Sequence, residues 1–305
     1  MHSLQAGTGV LVEVAASSAN LGPGFDCFGL ALDWREQVEL TVIADGYEVE
    51  VTGEGADRVP RDNTHLIIRS ARTGLADLGV QVPGLRVRCV NTIPHGRGLG
   101  SSSAAIVAGL AGACQLATGS LDPGWLLRHG TEIEGHPDNV AAAIYGGFVL
   151  AYDGAQGIAV TAGRVDPSIE AVVLVPEAPV STAAARGLLP ATVPHREAAA
   201  NAGRAALLVH ALAAEPGLLF EATRDWLHQS YRSTAMPTSY ALVQHLRGRG
   251  LAAMISGAGP TVAVLGTGAQ LTGLAAEVQE GYRARRVRIG GPVTARTIGG
   301  DNRRD

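Results

Sequence analysis

The 305-residue chain contains no lysine; all 24 of its basic side chains are arginines. That absence excludes Schiff-base chemistry on lysine, pyridoxal phosphate linked to lysine, the Walker A lysine and the strand lysine of protein kinases. Any phosphate must be held by backbone N–H groups, a helix terminus, arginine or a metal ion. Cysteine is scarce as well. Cys27, Cys89 and Cys114 are odd in number and fit no metal-ligand spacing, which points to buried thiols in a reducing compartment. Charged residues make up only 17% and the formal net charge is -4, so there is no bulk electrostatic case for nucleic acid or an anionic membrane. The first residues, MHSLQAGTGV, lack the basic and apolar regions of a signal peptide. The most apolar run, Ser101–Thr118, is interrupted by Gln115 and is too short and too rich in Gly and Ala to span a bilayer. The expectation is a cytoplasmic protein with no nucleic-acid or membrane partner.

What is plentiful is small and apolar. Hydrophobic residues reach 46%, and the 40 glycines have no fixed period, which excludes collagen-like and repeat architectures. The length suggests two domains, and the Gly-rich, weakly patterned stretch at 153–165 is where they divide, giving 1–160 and 161–305.

Strands and helices mix in both halves, an α+β pattern. Alternation predicts strands at 10–14, 37–43, 47–52 and 84–90, with a turn at Asp45-Gly46 joining the second and third. Asp62 or Asn63 caps a predicted helix running to 78, and Asp122-Pro123 caps another running to about 133. The run from Ser101 is small and apolar on nearly all sides, so it reads as a buried helix. A short helix at 138–143 and a strand at 148–152 come next. The second half shows strands at 171–175, 251–255, 261–265 and 293–298. Its helices fall at 182–189, 196–213, 217–229, 238–246 and 271–282. The tail GGDNRRD is expected to fray.

Between the 84–90 strand and the buried helix lies Pro94-His95-Gly96-Arg97-Gly98-Leu99-Gly100-Ser101-Ser102-Ser103. Glycines at every second position allow close approach of backbone to a ligand. The helix start next to them adds free N–H groups and the positive end of the macrodipole, and three serines add hydroxyls. This is an anion site built without lysine. Taken alone, the glycines are equally a tight turn and the serines equally caps.

The block PHGRGLGSSSAA resembles the phosphate-binding motif of the GHMP small-molecule kinases. SSANLGPGFDCFGLAL from Ser17 and EGHPDNVAAAIYGG from Glu134 are similar to the homoserine kinase versions of two further blocks, and SGAGPTVAVL from Ser256 is similar to the family's C-terminal glycine motif. The four appear in family order and span 17–265, nearly the whole chain. The departures are mild: Ala15 where proline is usual, Ser17 where threonine is frequent, and Arg97 and Ser103. The resemblance implies a ribosomal-protein-S5-domain-2-like N-terminal domain and a ferredoxin-like C-terminal domain. It also implies an ATP-dependent kinase that converts L-homoserine to O-phosphohomoserine for threonine synthesis, acting as a homodimer.

The same resemblance distributes roles. Residues Pro94 to Ala104, which are Pro94, His95, Gly96, Arg97, Gly98, Leu99, Gly100, Ser101, Ser102, Ser103 and Ala104, would hold the ATP phosphates, with Asn63 near the adenine. Three carboxylates lie close together at Glu132, Glu134 and Asp138; Glu134 with Ser102 would hold Mg²⁺, with Glu132 as the fallback. Asn20, Asp26, Asn139, Thr182, Arg186, Arg232 and Gly257 would meet the substrate. Asp26 suits an α-ammonium, and Arg186 and Arg232 suit a carboxylate, because guanidinium offers two parallel donors. Asn139 would meet the reacting hydroxyl. His136 reads as a loop histidine bonding backbone, since no second ligand stands at metal spacing. A mevalonate-type acid as substrate, or a non-catalytic sensor on the same fold, are the rival readings.

Overall fold

The computed structural model describes residues 2–155, 157–277 and 280–299. In chain order these form β1 (His2–Ser3), β2 (Gly9–Ala19), β3 (Phe28–Ile43), β4 (Gly46–Gly53), α1 (Leu66–Asp77), β5 (Val80–Gln81), β6 (Gly84–Asn91), α2 (Ser101–Thr118), α3 (Pro123–Glu134) and α4 (Asp138–Tyr145). Next come β7 (Phe148–Gly154), β8 (Gly157–Gly163), β9 (Ile169–Pro176), α5 (Thr182–Arg186), α6 (His195–Ala213), α7 (Leu219–Ala222) and α8 (Pro237–Gly248). The last strands are β10 (Ala252–Ile255), β11 (Val262–Thr267), β12 (Tyr282–Val287) and β13 (Thr294–Ile298). The tail from residue 300 onward lies outside the described residues.

A seven-stranded sheet carries the first half, in the order β13-β2-β3-β6-β4, with β7 on β3 and β8 on β7. The long β3 serves two neighbours on one side: Phe28–Leu30 pairs with β7 and Gln37–Ile43 with β6. Helices α2 and α4 pack on β2, with α1 and α3 against α2. A register shift between Ala15 and Ala16 breaks the β2–β3 ladder just before the site residues. Such bulges bend a strand and re-aim the side chains beyond the bend. Asp122 accepts from the Trp125 N–H at 3.0 Å, so the expected cap of α3 is in place. By length and composition α2 is a candidate membrane span, but 67% of it is buried within the protein, where it acts as the core helix of the first sheet.

The second sheet runs β10-β11-β9-β12, all antiparallel. Numbered by appearance this is 2-3-1-4, the ferredoxin-like order. Its core is Val172, Leu174, Ile255, Val262 and Val264 against Leu242, Val243 and Leu246 of α8.

Four expectations need correction. The strands flanking Asp45-Gly46 are not partners: β6 inserts between them, antiparallel to β3 and parallel to β4. The 217–229 helix ends at Ala222, because Asp225 turns back to accept the N–H groups of Leu227, His228 and Gln229, an alternative to the helical ladder. In place of a helix at 271–282 there are turns up to Glu277, then β12. Gly273 and Gly281, both at positive φ, punctuate that stretch. Finally, neither Asp62 nor Asn63 caps α1: His65 stands at the cap position without a side-chain cap bond, and Asp62 bonds the Thr64 N–H and hydroxyl instead. The first sheet includes β8, which spans residue 160, and β13, which pairs with β2.

Candidate active site

The sequence loop at 94–100 joins β6 to α2 as expected. Gly96, Gly98 and Gly100 all have positive φ, which makes the loop a tight coil. At Gly98 a side chain is impossible without movement, since a Cβ would lie 2.2 Å from the Ser256 carbonyl oxygen. The second half of the chain clasps the loop. The Thr261 N–H donates to the Arg97 carbonyl at 3.2 Å, the Val180 N–H to the Gly96 carbonyl at 3.1 Å, and the Ser256 hydroxyl to the Gly98 carbonyl at 2.6 Å. Within α2 the first N–H to find a carbonyl is that of Ala104, on Gly100 at 2.8 Å, so the amides ahead of it have no backbone partner among the described residues and suit an anion.

Beside this helix start, the Ser102 and Ser103 hydroxyls both donate to Glu134 Oε1, at 2.6 and 2.9 Å. Glu134 is the last residue of α3, so one hydroxyl–carboxylate cluster joins two helices. Among the described residues no group of three or more His, Cys, Asp and Glu side chains is placed to hold a metal unaided. The oxygen donors here match a hard cation that arrives on phosphates.

The loop from Asn20 to Asp26 forms the opposite wall. Asn20, Leu21 and Asp26 all have positive φ, a strained state for side-chain-bearing residues. The strain is over-determined by bonds. Asn20 accepts from the Asp26 N–H at 2.9 Å and donates to the Gly257 carbonyl at 2.9 Å. Asn201 donates to the Pro23 carbonyl and His228 Nε2 to the Gly22 carbonyl, both at 2.8 Å. His228 is fully buried, and burial lowers its pKa, so it sits there as a neutral donor.

Two arginines face this wall. Arg186 forks onto both oxygens of Asp26, and this pairing raises its pKa. Arg232 is only 2% exposed, its Nε has no hydrogen-bond partner among the described residues, and burial lowers its pKa. Both guanidiniums lie against the Phe25 ring, at 5.6 and 5.1 Å. Two cations converge here; Asp26 pairs directly with Arg186, while Asp138 and Asp225 act on Arg232 from further off, so the corner can still receive an anion.

The third corner is the start of α4. Asn139 Oδ1 accepts from the Ser17 hydroxyl at 2.8 Å, and the Asn139 N–H donates to Asp138 Oδ1 at 2.7 Å. His136 Nδ1 lies 3.2 Å from the same Asp138 oxygen; that contact raises the imidazole pKa while burial opposes it.

These walls enclose a cavity of about 180 Å³. It collects Asn20, Asp26, Glu134, Asn139, Thr182, Arg186, Arg232 and Gly257 with Gly96, Gly98, Gly100, Ser101 and Ser102. His136 and Asp138 line it too. The other expected residues lie elsewhere. Leu99, Ser103, Ala104 and Pro94 are buried behind the loop, and Arg97 turns away to the Glu177 carbonyl. Asn63 is exposed in the turn before α1 and lines neither this cavity nor its neighbour.

That neighbour, about 290 Å³, shares Gly96, Ser101 and Ser102 and is walled by Val59, Pro60, Leu66, Ile67 and Ala105. His95 lines it and bonds Asn91 at 3.2 Å. Sequence reading missed two of its residues. Glu36, buried in β3 and accepting from the Ile93 N–H at 3.0 Å, is pushed up to about 7 by burial. His65 is pushed down to about 4 by burial. Neither stands in a motif. The only signal for Glu36 was an acid in the alternating register of a strand that becomes internal.

The model of the GHMP kinases N-terminal domain matches residues 65–147. The crystal structure of homoserine kinase from Cytophaga hutchinsonii superposes with a TM-score of 0.84 at 26% identity, covering 98% of this chain and 99% of that one. Fold and phosphate loop thus define a small-molecule kinase of the GHMP class. The homoserine kinase of Streptomyces coelicolor is 56% identical over 261 residues, 84% of either chain. That of Streptomyces avermitilis is 52% identical over 285 residues, 92% of this chain and 93% of its own. The chain belongs to the homoserine kinase family.

Proposed function

We propose a division of labour within the cleft for the reaction of this enzyme, the ATP-dependent phosphorylation of the L-homoserine hydroxyl to O-phospho-L-homoserine. The observation that carries the proposal is the convergence, on one cavity, of the α2 start, the serine–glutamate cluster and the Asp26–Arg186–Arg232 corner. Amides of Gly96 to Ser103 take the triphosphate, and the apolar neighbouring cavity takes the base. Ser102 and Glu134 hold Mg²⁺, which fits because a hydroxyl and a carboxylate already meet there at 2.6 Å. When bound, the ion offsets charge on the β- and γ-phosphates.

Asp26 receives the substrate ammonium, and Arg186 and Arg232 receive its carboxylate, with Asn20, Thr182 and Gly257 closing the pocket. A mevalonate-type acid has no group for Asp26. Asn139 orients the hydroxyl for in-line attack. Phosphoryl transfer depends mainly on such positioning and on charge stabilisation. No lysine is available to partner a base, and Asp138 Oδ1 already accepts from the Asn139 N–H, with His136 Nδ1 3.2 Å away. In this reading the hydroxyl proton passes to the phosphoryl group as the new P–O bond forms. A cytoplasmic homodimer serving threonine biosynthesis, without nucleic-acid or membrane partners, completes the reading.

The test is a coupled ADP-release assay with homoserine and Mg-ATP on the wild type and Asp138→Asn. Retention of turnover within about tenfold is expected, since Asn keeps the acceptor oxygen. Near-complete loss in a folded, substrate-binding variant would show that a carboxylate base is needed.

A further inference from the structure

The amide of Asn139 has an acceptor end and a donor end, and which one faces the cleft decides what it can do there. Asn139 Nδ2 lies 3.5 Å from Asp138 Oδ1, and Asn139 Oδ1 lies 2.8 Å from the Ser17 hydroxyl. The flipped amide would set its oxygen against a carboxylate oxygen, a repulsion between two acceptors. Asp138 therefore fixes the orientation, and the hydroxyl of Ser17 must be the donor.

Ser17 has little freedom to do otherwise. It is 0% exposed, near the end of β2 just past the Ala15/Ala16 register shift, and its N–H donates to the Leu99 carbonyl at 3.1 Å. Its hydroxyl fits because Gly100 has no side chain: a Cβ there would lie 2.0 Å from Ser17 Oγ and 3.1 Å from Asn139 Oδ1. Ser17 thus ties the strand end to the phosphate loop through its N–H and to the start of α4 through its hydroxyl.

We infer that Ser17 is a positioning residue that occupies the acceptor end of the Asn139 amide, so that Asn139 presents an N–H donor to the reacting groups. The inference rests on the placement of Asn139 at the homoserine hydroxyl proposed above. A donor there holds the attacking oxygen through a lone pair, or bonds a phosphoryl oxygen, and cannot accept the hydroxyl proton. As the oxygen–phosphorus bond forms, the bond to the β-phosphate oxygen breaks and its electron pair leaves with ADP. The proton goes to a phosphoryl oxygen, not to Asn139.

The experiment is a double-mutant cycle with Ser17→Ala, Asn139→Ala and the pair, measuring kcat and both KM values. Ser17→Ala is expected to lower kcat about tenfold, the worth of one hydrogen bond, with the KM for ATP unchanged. The double variant should match Asn139→Ala alone, because Ser17 acts only through that amide. Additive losses, or an unchanged kcat in Ser17→Ala, overturn the inference. If Asn139→Ala itself keeps full kcat, the placement of Asn139 fails and the inference falls with it. Should Ser17→Ala not fold, Ser17→Cys, similar in size but a weak donor, replaces it with the same expectation.

Discussion

Asp26 and Arg186, 160 positions apart in sequence, meet through two parallel hydrogen bonds of 2.6 and 2.9 Å. On the proposed reading each holds the place of one end of a zwitterion: the carboxylate where an ammonium will sit, the guanidinium where a carboxylate will sit. An amino-acid substrate exchanges one ion pair for two, so charge is conserved in the pocket as it fills.

Asp26→Asn removes the charge that answers an ammonium and keeps the side-chain shape. The KM for homoserine is expected to rise roughly 10- to 100-fold, the worth of a charged hydrogen bond, with little change in the KM for ATP. Steady-state kinetics in each substrate separates the two. An unchanged homoserine KM would remove Asp26 from the substrate site.

Glu134→Gln keeps the acceptor for Ser102 and Ser103 but loses the anion. Turnover is expected to fall on the order of a hundredfold, as for loss of a charge-stabilising group, and the Mg²⁺ needed for half-maximal rate to rise. A magnesium titration of the variant at saturating ATP and homoserine makes the check.

Gly98→Ala forces a Cβ against the Ser256 carbonyl oxygen, at a residue with φ +74. The left-handed backbone alone costs about 1–2 kcal/mol. The clash adds to that, so both a lower Tm and a raised KM for ATP are expected. Thermal melts with and without nucleotide measure the two effects together.

Glu36 binds its proton more tightly when folded, near pH 7 against an ordinary value of 4.5. Between those values the native state holds more protons than the unfolded chain, so stability falls as pH rises from about 4.5 to 7. The full effect is on the order of 3 kcal/mol by linkage and is complete above pH 7. Glu36→Gln keeps an acceptor for the Ile93 N–H and should gain stability relative to wild type as pH rises through that window. Denaturant unfolding at pH 5 and pH 8 tests the sign.

Local chemistry made much of this readable in advance. Asp122-Pro123 announces the start of α3, the small apolar run gives α2 to the residue, and the Gly-rich blocks mark the loops that meet at the cleft. What local pattern could not supply was pairing between distant strands. Nothing around Asp45-Gly46 reveals that β6 will slide between its flanking strands. The apolar spacing of Leu271 and Leu274 suits a helix equally well as the turns that bury them. Glu36 and the role of Ser17 escaped notice for a related reason, since their importance comes from neighbours 57 and 122 positions away.

The position of β13 alongside β2 bears on how the protein is made. During synthesis the flank of β2 waits, its row of N–H and C=O groups unmatched, until residues 294–298 have left the ribosome. A truncated product ending before β13 would carry that open flank for its lifetime, a template for clumping with its own kind.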